Sequence, residues 1–274
     1  MPVISTNTAA NSAVRYLNIN AAQESSSLAK LSSGSKITSA SDDAAGLAIS
    51  TRISSDVTTL QQAATNASQA TSILQTADGG ASNISDILSR MKSLASESSS
   101  ATVTDSSRAY LNSEFTSLSS EVDSIATGTR YSGQSLLDGT STFASGASVM
   151  VGSNATDTIT VTLSSLTATT LGINALAITS QTSATAALTT LDTAIDSVST
   201  ARASIGAQES RFNFSAASIS TQSQNLQSAN SAITDVDIAS EQAKLSSAEV
   251  KTQAAVSAES AANQMPQYLL KLLG

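Results

Sequence analysis

The sequence contains no cysteine, no histidine and no tryptophan, and only two of its 274 residues are proline. Without cysteine the chain can form neither disulfide bonds nor thiolate metal ligands. Without histidine it lacks the commonest general base and the commonest zinc ligand. The sequence also contains no phosphate-binding glycine loop. We therefore predict that the protein is not an enzyme and uses no cofactor or metal.

Charge and hydrophobic runs exclude further classes of function. Thirteen basic residues stand against 21 acidic ones, which gives a net charge of −8, whereas nucleic-acid binding requires a clustered basic surface. No run of eighteen apolar residues occurs, and no charged segment followed by an apolar core opens the chain. We expect no nucleic-acid partner, no membrane insertion and no cleaved signal peptide. Both a cytosolic location and export by a signal-independent route fit this pattern.

The residues that are abundant predict a mainly α-helical fold. Hydrophobic residues make up 40% of the chain but aromatic residues only 3%, so the core is built from alanine, leucine, isoleucine and valine. The two prolines, Pro2 and Pro266, lie near the chain ends, and nothing between them requires a helix to stop. Small core residues allow helices to pack closely. We predict a long antiparallel helical bundle or coiled coil with one small β-hairpin.

The N-terminal quarter of the chain predicts two helices separated by a hinge. Residues 4–32 carry a thin apolar stripe that has little to gain from folding alone, so this helix is expected to need partners. The segment LSSGSKITSASDDAAGLAIS, residues 31–50, then contains Gly34 and a run of hydroxyls. Ser41 is a suitable N-cap, and Asp42 and Asp43 suit the first turn of the next helix. That helix is expected over residues 43–98, with Gly79 and Gly80 as weak points.

The middle of the chain changes its hydrophobic period. A helix is expected over residues 107–127, and alternating residues on either side of GSNATD predict a hairpin at about 146–164. A long helix follows, in which one heptad position is always apolar. This rod heptad seam consists of Leu191, Val198, Ile205, Phe212, Ile219, Leu226 and Ile233. The predicted companion row begins apolar and turns polar: Leu188, Ile195, Arg202, Glu209, Ala216, Ser223 and Asn230.

The C-terminal segment predicts another amphipathic helix, interrupted at Pro266 before an apolar end. Together with the first helix it supplies residues that we expect to pack when partners surround the chain ends. This terminal assembly seam consists of Val14, Leu17, Leu28, Leu31, Val236, Val250, Met265 and Leu269.

Three segments resemble one known family. LSSGSKITSASDDAAGLAIS is similar to the N-terminal signature of bacterial flagellins, ITDVDIASEQAKL to their C-terminal signature, and ANQMPQYLLKLL to their common ending. The resemblance implies that the terminal helices, from residues 1–40 and 235–274, pair as a coiled coil and form an inner-tube domain, D0. It implies a rod domain, D1, from residues 41–180 and 181–234. The short middle leaves no room for an outer variable domain, which indicates a minimal flagellin.

The resemblance implies a function, a location and a set of partners. The chain is expected to polymerise with itself, by coupled folding and assembly, into the extracellular filament of a bacterial flagellum. Export without a cleaved signal peptide, an export chaperone, and cap and hook-associated proteins follow from the family. Two alternatives stay open: a hook–filament junction protein of the same family, and a stand-alone helical binding module or adhesin. The hinge between D0 and D1 is assigned to Gly34, Ser41, Asp42 and Asp43.

Two smaller predictions also come from the resemblance. Arg90, Leu94 and Glu114 match positions that contact the vertebrate receptor TLR5 in flagellins that it recognises, although an Arg–Glu pair between packed helices is equally an ordinary structural ion pair. Flagellins with small outer domains often carry O-linked glycans. The predicted candidates for that modification are Ser145, Ser153, Thr156 and Ser165.

Overall fold

The computed structural model of the chain describes the backbone of residues 7–273 and the side chains of residues 7–268. The described part is mainly helical and contains two small antiparallel sheets, so the predicted fold class is confirmed. The helices are α1 (Thr8–Ser33), α2 (Ala44–Ser98), α3 (Asp105–Gly128), α4 (Thr142–Ser145), α5 (Gln181–Thr234) and α6 (Ile238–Leu273). The strands are β1 (Arg130–Tyr131), β2 (Gln134–Ser135), β3 (Ala147–Met150) and β4 (Thr158–Val161).

The chain divides into two compact units. The described residues of 1–55 and 225–274 form the terminal unit, and residues 56–224 form the central unit. Both divisions fall inside helices, one in α2 and one in α5. The boundaries of D0 and D1 inferred from the family resemblance, near residues 40 and 235, remain a prediction.

One apolar cluster holds the central unit together. It combines residues of α2, α3 and α5 with β4 and the irregular segment that follows it. In the rod heptad seam, Leu191, Val198, Ile205, Phe212 and Ile219 are buried, whereas Leu226 and Ile233, in the terminal unit, are half-buried. Side chains of this size contribute about 1.5–3 kcal/mol each when fully buried. The heptad row therefore supplies much of the core's stabilisation.

The second buried row of α5 is not the predicted one. Leu188, Ile195, Arg202 and Glu209 are only half-buried. The residues that are buried beside the heptad seam each precede a residue of the predicted row by one position. They are Ala187, Ala194, Ala201 and Gln208. Alanine lets neighbouring backbones approach closely, so small residues occupy the inner position and larger ones lie at its margin.

Gln208 shows what a polar residue does in that inner row. Its Nε2 donates to the Thr162 carbonyl at 2.9 Å, and its Oε1 accepts from the Thr162 N–H at 2.9 Å. Thr162 directly follows β4, so the side-chain amide takes the place of a neighbouring strand there. Gln208 thereby satisfies two backbone groups that a buried apolar residue would leave without partners.

Two hairpins precede the long return to α5. Strands β3 and β4 pair antiparallel with Ser148 opposite Thr160, inside the predicted range of residues 146–164. Strands β1 and β2, which are joined by Ser132 and Gly133, were not predicted from the sequence. Both turn residues have positive φ, 48° and 83°, as a tight two-residue hairpin requires. Each strand has only two residues, too few to show a period of two.

Two polar residues of α5 face a polar residue of α2. Arg202 Nε and Nη2 donate to the two Asp78 carboxylate oxygens at 2.8 and 3.2 Å. Glu209 lies two turns further along α5, and its Oε1 is buried without a hydrogen-bond donor among the described residues. Burial and the nearby Asp78 charge raise the pKa of the Glu209 carboxyl. The ionised form of Glu209 is therefore disfavoured in the folded protein.

We expect Glu209→Gln to stabilise the central unit at pH 7. The folded-state pKa lies above the unfolded value of 4.5, so the folded state binds the proton more tightly. The stability that this protonation contributes is present below pH 4.5 and is lost as pH rises through the folded pKa. Glutamine mimics the protonated acid, so its advantage over glutamate should appear at pH 7 and shrink towards pH 4. Urea unfolding at both pH values measures the difference.

Glu121→Gln is the matched control, because Glu121 is exposed on α3 of the same unit. It should change the stability little at either pH. A Glu209→Gln protein that is less stable than the parent at pH 7 would show that the carboxylate has a favourable partner.

Candidate assembly interface

The terminal helices α1 and α6 pack against each other in antiparallel orientation. Asn7, the N-cap of α1, contacts Ala262. Further along α1, Glu24 accepts a hydrogen bond from Thr252 at 3.3 Å. Positions therefore rise along α1 as they fall along α6. This confirms the predicted pairing of the terminal helices.

The face that joins α1 and α6 is made of small and polar residues. Its buried members are Ala10, Ser27, Glu241, Leu245, Ala248, Ala255 and Ala262. Only Leu245 among them is a large apolar side chain. Because burial of apolar area drives helix association in water, this pairing alone provides little stabilisation.

The predicted terminal assembly seam lies largely on other faces. Val14, Leu28, Met265 and Val250 are exposed by 37%, 58%, 59% and 70%. Leu17, Leu31 and Val236 are half-buried, and the side chain of Leu269 lies outside the described residues. In α6, the face that packs on α1 therefore contains Glu241 and the buried alanines. The face that carries Val250 and Met265 does not pack on α1. The larger side chains stay available to another molecule.

Glu241 is a buried charge on the paired face. It accepts a hydrogen bond from Lys244 Nζ at 2.9 Å and another from Ser27 of α1. The bond from Lys244 lowers the pKa of the Glu241 carboxyl most, and the bond from Ser27 lowers it further. The ionised form is thus favoured in the folded state, and its contribution to the pairing of α1 and α6 is lost as pH falls through the lowered pKa.

The hinge segment begins with a left-handed glycine. Helix α1 ends at Ser33, and Gly34 follows with φ of +71°, the conformation in which glycine commonly ends helices. The next residues pair with the segment that leaves α5. Lys36 N–H donates to the Thr234 carbonyl at 2.6 Å, and Val236 N–H donates to the Gly34 carbonyl at 3.1 Å. The two connecting segments are therefore joined by an antiparallel bridge and do not run separately.

The acidic pair of the hinge has two distinct structural roles. Asp43, rather than the predicted Ser41, caps α2, because its Oδ1 accepts from the Gly46 N–H at 2.8 Å. Asp42 Oδ2 instead accepts hydrogen bonds from residues that precede it in the chain. The donors are Thr38 N–H, Thr38 Oγ1 and Ser39 N–H. These bonds lower the pKa of Asp42 to about 2. Ser41 Oγ bonds to Ser39 Oγ, within the same turn, at 2.8 Å.

The structure changes the prediction for the receptor contact. Arg90 Nε and Nη2 donate to Glu114 Oε1 at 2.9 and 2.7 Å, and both side chains are about half exposed. Leu94, by contrast, is 1% exposed and belongs to the core of the central unit. Of the three predicted residues, Arg90 and Glu114 lie at the surface of the described chain and Leu94 does not, and receptor recognition stays a prediction.

The predicted glycosylation candidates differ in exposure. Ser145 and Thr156 are exposed, whereas Ser153 and Ser165 are half-buried. Ser165 Oγ also bonds to Thr170 Oγ1 at 3.0 Å. Accessibility therefore favours Ser145 and Thr156 as acceptors.

Two further features of the described residues bear on function. No helix within residues 8–273 is both long and apolar enough to span a membrane. In the same part of the chain, no three acidic side chains lie close enough together to hold a metal ion.

Comparison with protein families finds two matches that together cover most of the chain. Residues 4–142 match the bacterial flagellin N-terminal helical region, and residues 188–273 match the bacterial flagellin C-terminal helical region. The unmatched stretch contains the β3–β4 hairpin and the segment leading to α5.

Similar proteins match over their full length. A flagellin of Halalkalibacterium halodurans is 36% identical over 99% of both chains. A flagellin of Listeria monocytogenes is 34% identical over 98% of this chain and 99% of its own. The flagellar filament 30.7 kDa core protein of Treponema maltophilum is 34% identical over 99% of both chains.

A solved structure agrees with these sequence matches. The crystal structure of Bacillus cereus flagellin superposes with a TM-score of 0.52 and 29% identity, over 61% of this chain and 94% of that one. From the two family matches, the full-length relatives and the shared fold, we conclude that the chain belongs to the bacterial flagellin family.

Proposed function

We propose that the chain is a structural subunit that assembles with copies of itself into a flagellar filament. The observation that carries this proposal is the pair of terminal helices, which bury little apolar surface between them and expose large apolar side chains. Membership of the flagellin family gives those exposed faces an occupant, namely neighbouring copies of the chain.

The energetics of the terminal unit support coupled folding and assembly. A valine, leucine or methionine gains about 1.5–3 kcal/mol when it passes from full exposure to full burial. Val14, Leu28, Val250 and Met265 retain much of that potential gain. Ordering two long helices costs conformational entropy, and contacts with neighbours offset that cost. Growth on an existing filament end is then favoured over spontaneous association.

The symmetry of such an assembly follows from its contacts. A face of one copy that meets a different face of the next copy makes a head-to-tail contact, and repetition of that contact generates an open helical polymer. The hinge at Gly34 and its bridge to Val236 would let one chain contribute to two concentric layers. We assign the terminal helices to the inner tube (D0) and the remaining helices to the rod (D1).

Further parts of the proposal rest on the family. They are export without a cleaved signal peptide, an extracellular location, and binding to an export chaperone, a cap and hook-associated proteins. We propose no catalytic role. Receptor recognition through the exposed Arg90 and Glu114, and O-glycosylation at Ser145 or Thr156, are the remaining proposals.

Two alternatives make different predictions. A hook–filament junction protein would be a low-copy component, whereas a filament subunit dominates sheared flagella by mass. A stand-alone binding module would fold as a monomer and would not need its terminal helices. The full-length matches to flagellins and to a filament core protein favour the filament subunit.

Seeded polymerisation followed by negative-stain electron microscopy tests the proposal. The full chain should extend short filament fragments into long tubes, and a chain lacking residues 1–32 and 240–274 should not. A full chain that stays monomeric beside competent seeds would contradict the proposal.

A point substitution gives a sharper form of the same test. We expect Val250→Asp to raise the lowest polymerising concentration by about 10-fold or more, because about 1.5–3 kcal/mol of burial is lost. Ser246→Asp introduces the same charge one turn away at an exposed polar residue and is the matched control. Equal effects of the two changes would assign the loss to charge and not to the apolar contact.

A further inference from the structure

We propose that Asn7 sets the register of α1 against α6 by donating a hydrogen bond to a carbonyl that Pro266 leaves without its helical partner. The inference rests on the proposed function, because it assigns the side chain that aligns the two terminal helices for assembly. It concerns three residues: Asn7, Ala262 and Pro266.

Pro266 creates an open acceptor inside α6. The sequence predicted that Pro266 would interrupt the helix, but α6 continues through it to Leu273. Proline has no N–H, so the carbonyl four residues earlier, that of Ala262, loses the donor that every ordinary helical residue would supply. Ala262 is only 6% exposed on the face that meets α1. A buried carbonyl without a donor is costly, so the site requires a partner.

Asn7 supplies that partner. Its Nδ2 donates to the Ala262 carbonyl at 2.8 Å. Its Oδ1 simultaneously accepts from the Ala10 N–H at 3.1 Å and so caps the first turn of α1. One side-chain amide thus satisfies the start of one helix and the gap in the other. Aspartate can cap a helix equally well, but its ionised carboxylate has no hydrogen to donate.

The alanine row of α6 does not by itself fix the register, and at the other end of the pair Leu245 and the Ser27–Glu241 hydrogen bond contribute to it. The buried alanines of α6, Ala248, Ala255 and Ala262, repeat every seven residues. If α6 slid by one heptad, an alanine would replace an alanine against α1, with little change in buried apolar area. In coiled coils, single polar residues at such positions specify the register.

The open carbonyl distinguishes these otherwise equivalent alanines. The residues four positions after Ala248 and Ala255 are Thr252 and Glu259, which both have a backbone N–H. Their carbonyls are therefore served by the helix itself. Ala262 alone among the three has a proline four positions later, so only one register pairs the Asn7 amide with a carbonyl that needs it. Asn7 and Pro266 act as a matched pair.

A double-mutant cycle on the full-length chain tests this pairing. We expect Asn7→Asp to raise the lowest polymerising concentration about 5-fold to 10-fold, because the cap is retained and the half-buried donor to the Ala262 carbonyl is lost. Pro266→Ala restores an N–H for the Ala262 carbonyl, so in that background Asn7→Asp should cost less than about 2-fold. Asn18→Asp, an exposed position on α1, is the control for the added charge.

The outcomes separate the inference from the proposed function. If the unmodified chain fails to extend seeds, the proposed function fails. If it extends them but Asn7→Asp costs the same in the parent chain and in the Pro266→Ala background, or matches Asn18→Asp, the register role of Asn7 is wrong.

A second comparison applies if Pro266→Ala itself prevents assembly. Asn7→Ala removes both the cap and the donor, whereas Asn7→Asp removes only the donor. Both variants should raise the lowest polymerising concentration. On a logarithmic scale, the rise caused by Asn7→Asp should be at least half of the rise caused by Asn7→Ala. An aspartate variant that polymerises like the parent would overturn it.

Discussion

Arg108→Met is expected to lower the free energy of unfolding of the central unit by about 2–5 kcal/mol. The guanidinium lies where α2 ends and α3 begins. Its Nε donates to the Ser98 carbonyl at 2.9 Å and its Nη2 to the Ser100 carbonyl at 2.8 Å. Ser98 is the last residue of α2, so its carbonyl has no donor within the helix, and Ser100 lies in the turn that follows. Methionine keeps most of the side-chain volume but leaves the Ser98 carbonyl without this donor, and leaves the Ser100 carbonyl with the Val103 N–H alone, at 3.3 Å.

The surroundings of Arg108 make this loss hard to repair. Its side chain is 9% exposed, and Ser98 is fully buried. Ser98 Oγ donates to the Ile178 carbonyl at 2.6 Å, and Ile178 N–H donates to Asn112 Oδ1 at 2.8 Å. The turn after α2 and the segment before α5 are thus fixed by one connected set of hydrogen bonds. Water cannot replace the guanidinium without disturbing that set.

Asp105→Asn is the matched control for Arg108→Met. Asp105 forms an ion pair with Arg108 Nη1 at 2.9 Å, but its own side chain is 92% exposed. An exposed ion pair contributes only about 0–1 kcal/mol, so this change should have little effect. Urea unfolding of both variants, followed by circular dichroism, measures the difference. Similar losses in the two proteins would show that the ion pair, and not the helix-end carbonyls, holds Arg108.

The helices and the hairpin could be predicted because large apolar side chains mark their periods. The heptad of Leu191, Val198 and Ile205 predicts α5, and the alternation around Val149 and Ile159 predicts the second hairpin. The family resemblance adds the pairing of α1 with α6, which no periodicity establishes. These features depend on residues whose burial dominates the free energy of folding.

The faces that use small residues could not be predicted in the same way. Ala187 and Ala194 form the inner row of α5, and Ala248 and Ala255 form the paired face of α6. Alanine is abundant on every face of these helices, so its position carries little signal. The predicted seam was therefore placed by the larger residues, and in α6 these lie on the exposed side, where Val250 is found.

Individual polar contacts could not be predicted from the sequence either, because they depend on the path of the backbone. The sequence SDD allows Ser41, Asp42 or Asp43 to cap α2, and only the backbone path selects Asp43. Leu94 was assigned to a surface by resemblance, although its apolar character alone favours burial. The link between Asn7 and Ala262 spans 255 positions, and no local pattern predicts it.

Gly80→Ala and Gly79→Ala should change the stability of the central unit in opposite directions. Both glycines lie inside α2, where alanine is favoured over glycine by about 1 kcal/mol. Gly79 is exposed, and a Cβ there would contact nothing within 4 Å. Gly79→Ala should therefore stabilise the protein by up to about 1 kcal/mol.

At Gly80 the same methyl group has no space. It would lie 2.8 Å from Thr129 Cγ2 and 2.9 Å from Leu137 Cδ1, and it would overlap Thr129 Oγ1. Thr129 cannot easily move, because its N–H and Oγ1 both donate to the Ile125 carbonyl and its own carbonyl accepts from Leu136 N–H. Overpacking of a core typically costs about 1–3 kcal/mol, so Gly80→Ala should destabilise the protein despite the gain in helix propensity.

Thermal unfolding of the two single variants shows whether Gly80 is needed for close packing or only lowers the helix propensity of α2. If both glycines only weakened the helix, both substitutions would raise the melting temperature. If Gly80 instead allows the end of α3 and the turn after β2 to approach the α2 backbone, only Gly79→Ala raises it and Gly80→Ala lowers it. The expected gap between the variants is about 1–3 kcal/mol, which is the packing cost, because the propensity gain is common to both variants and cancels. We expect the second pattern, because the side chains of Thr129 and Leu137 already occupy the space that a Cβ at Gly80 would fill.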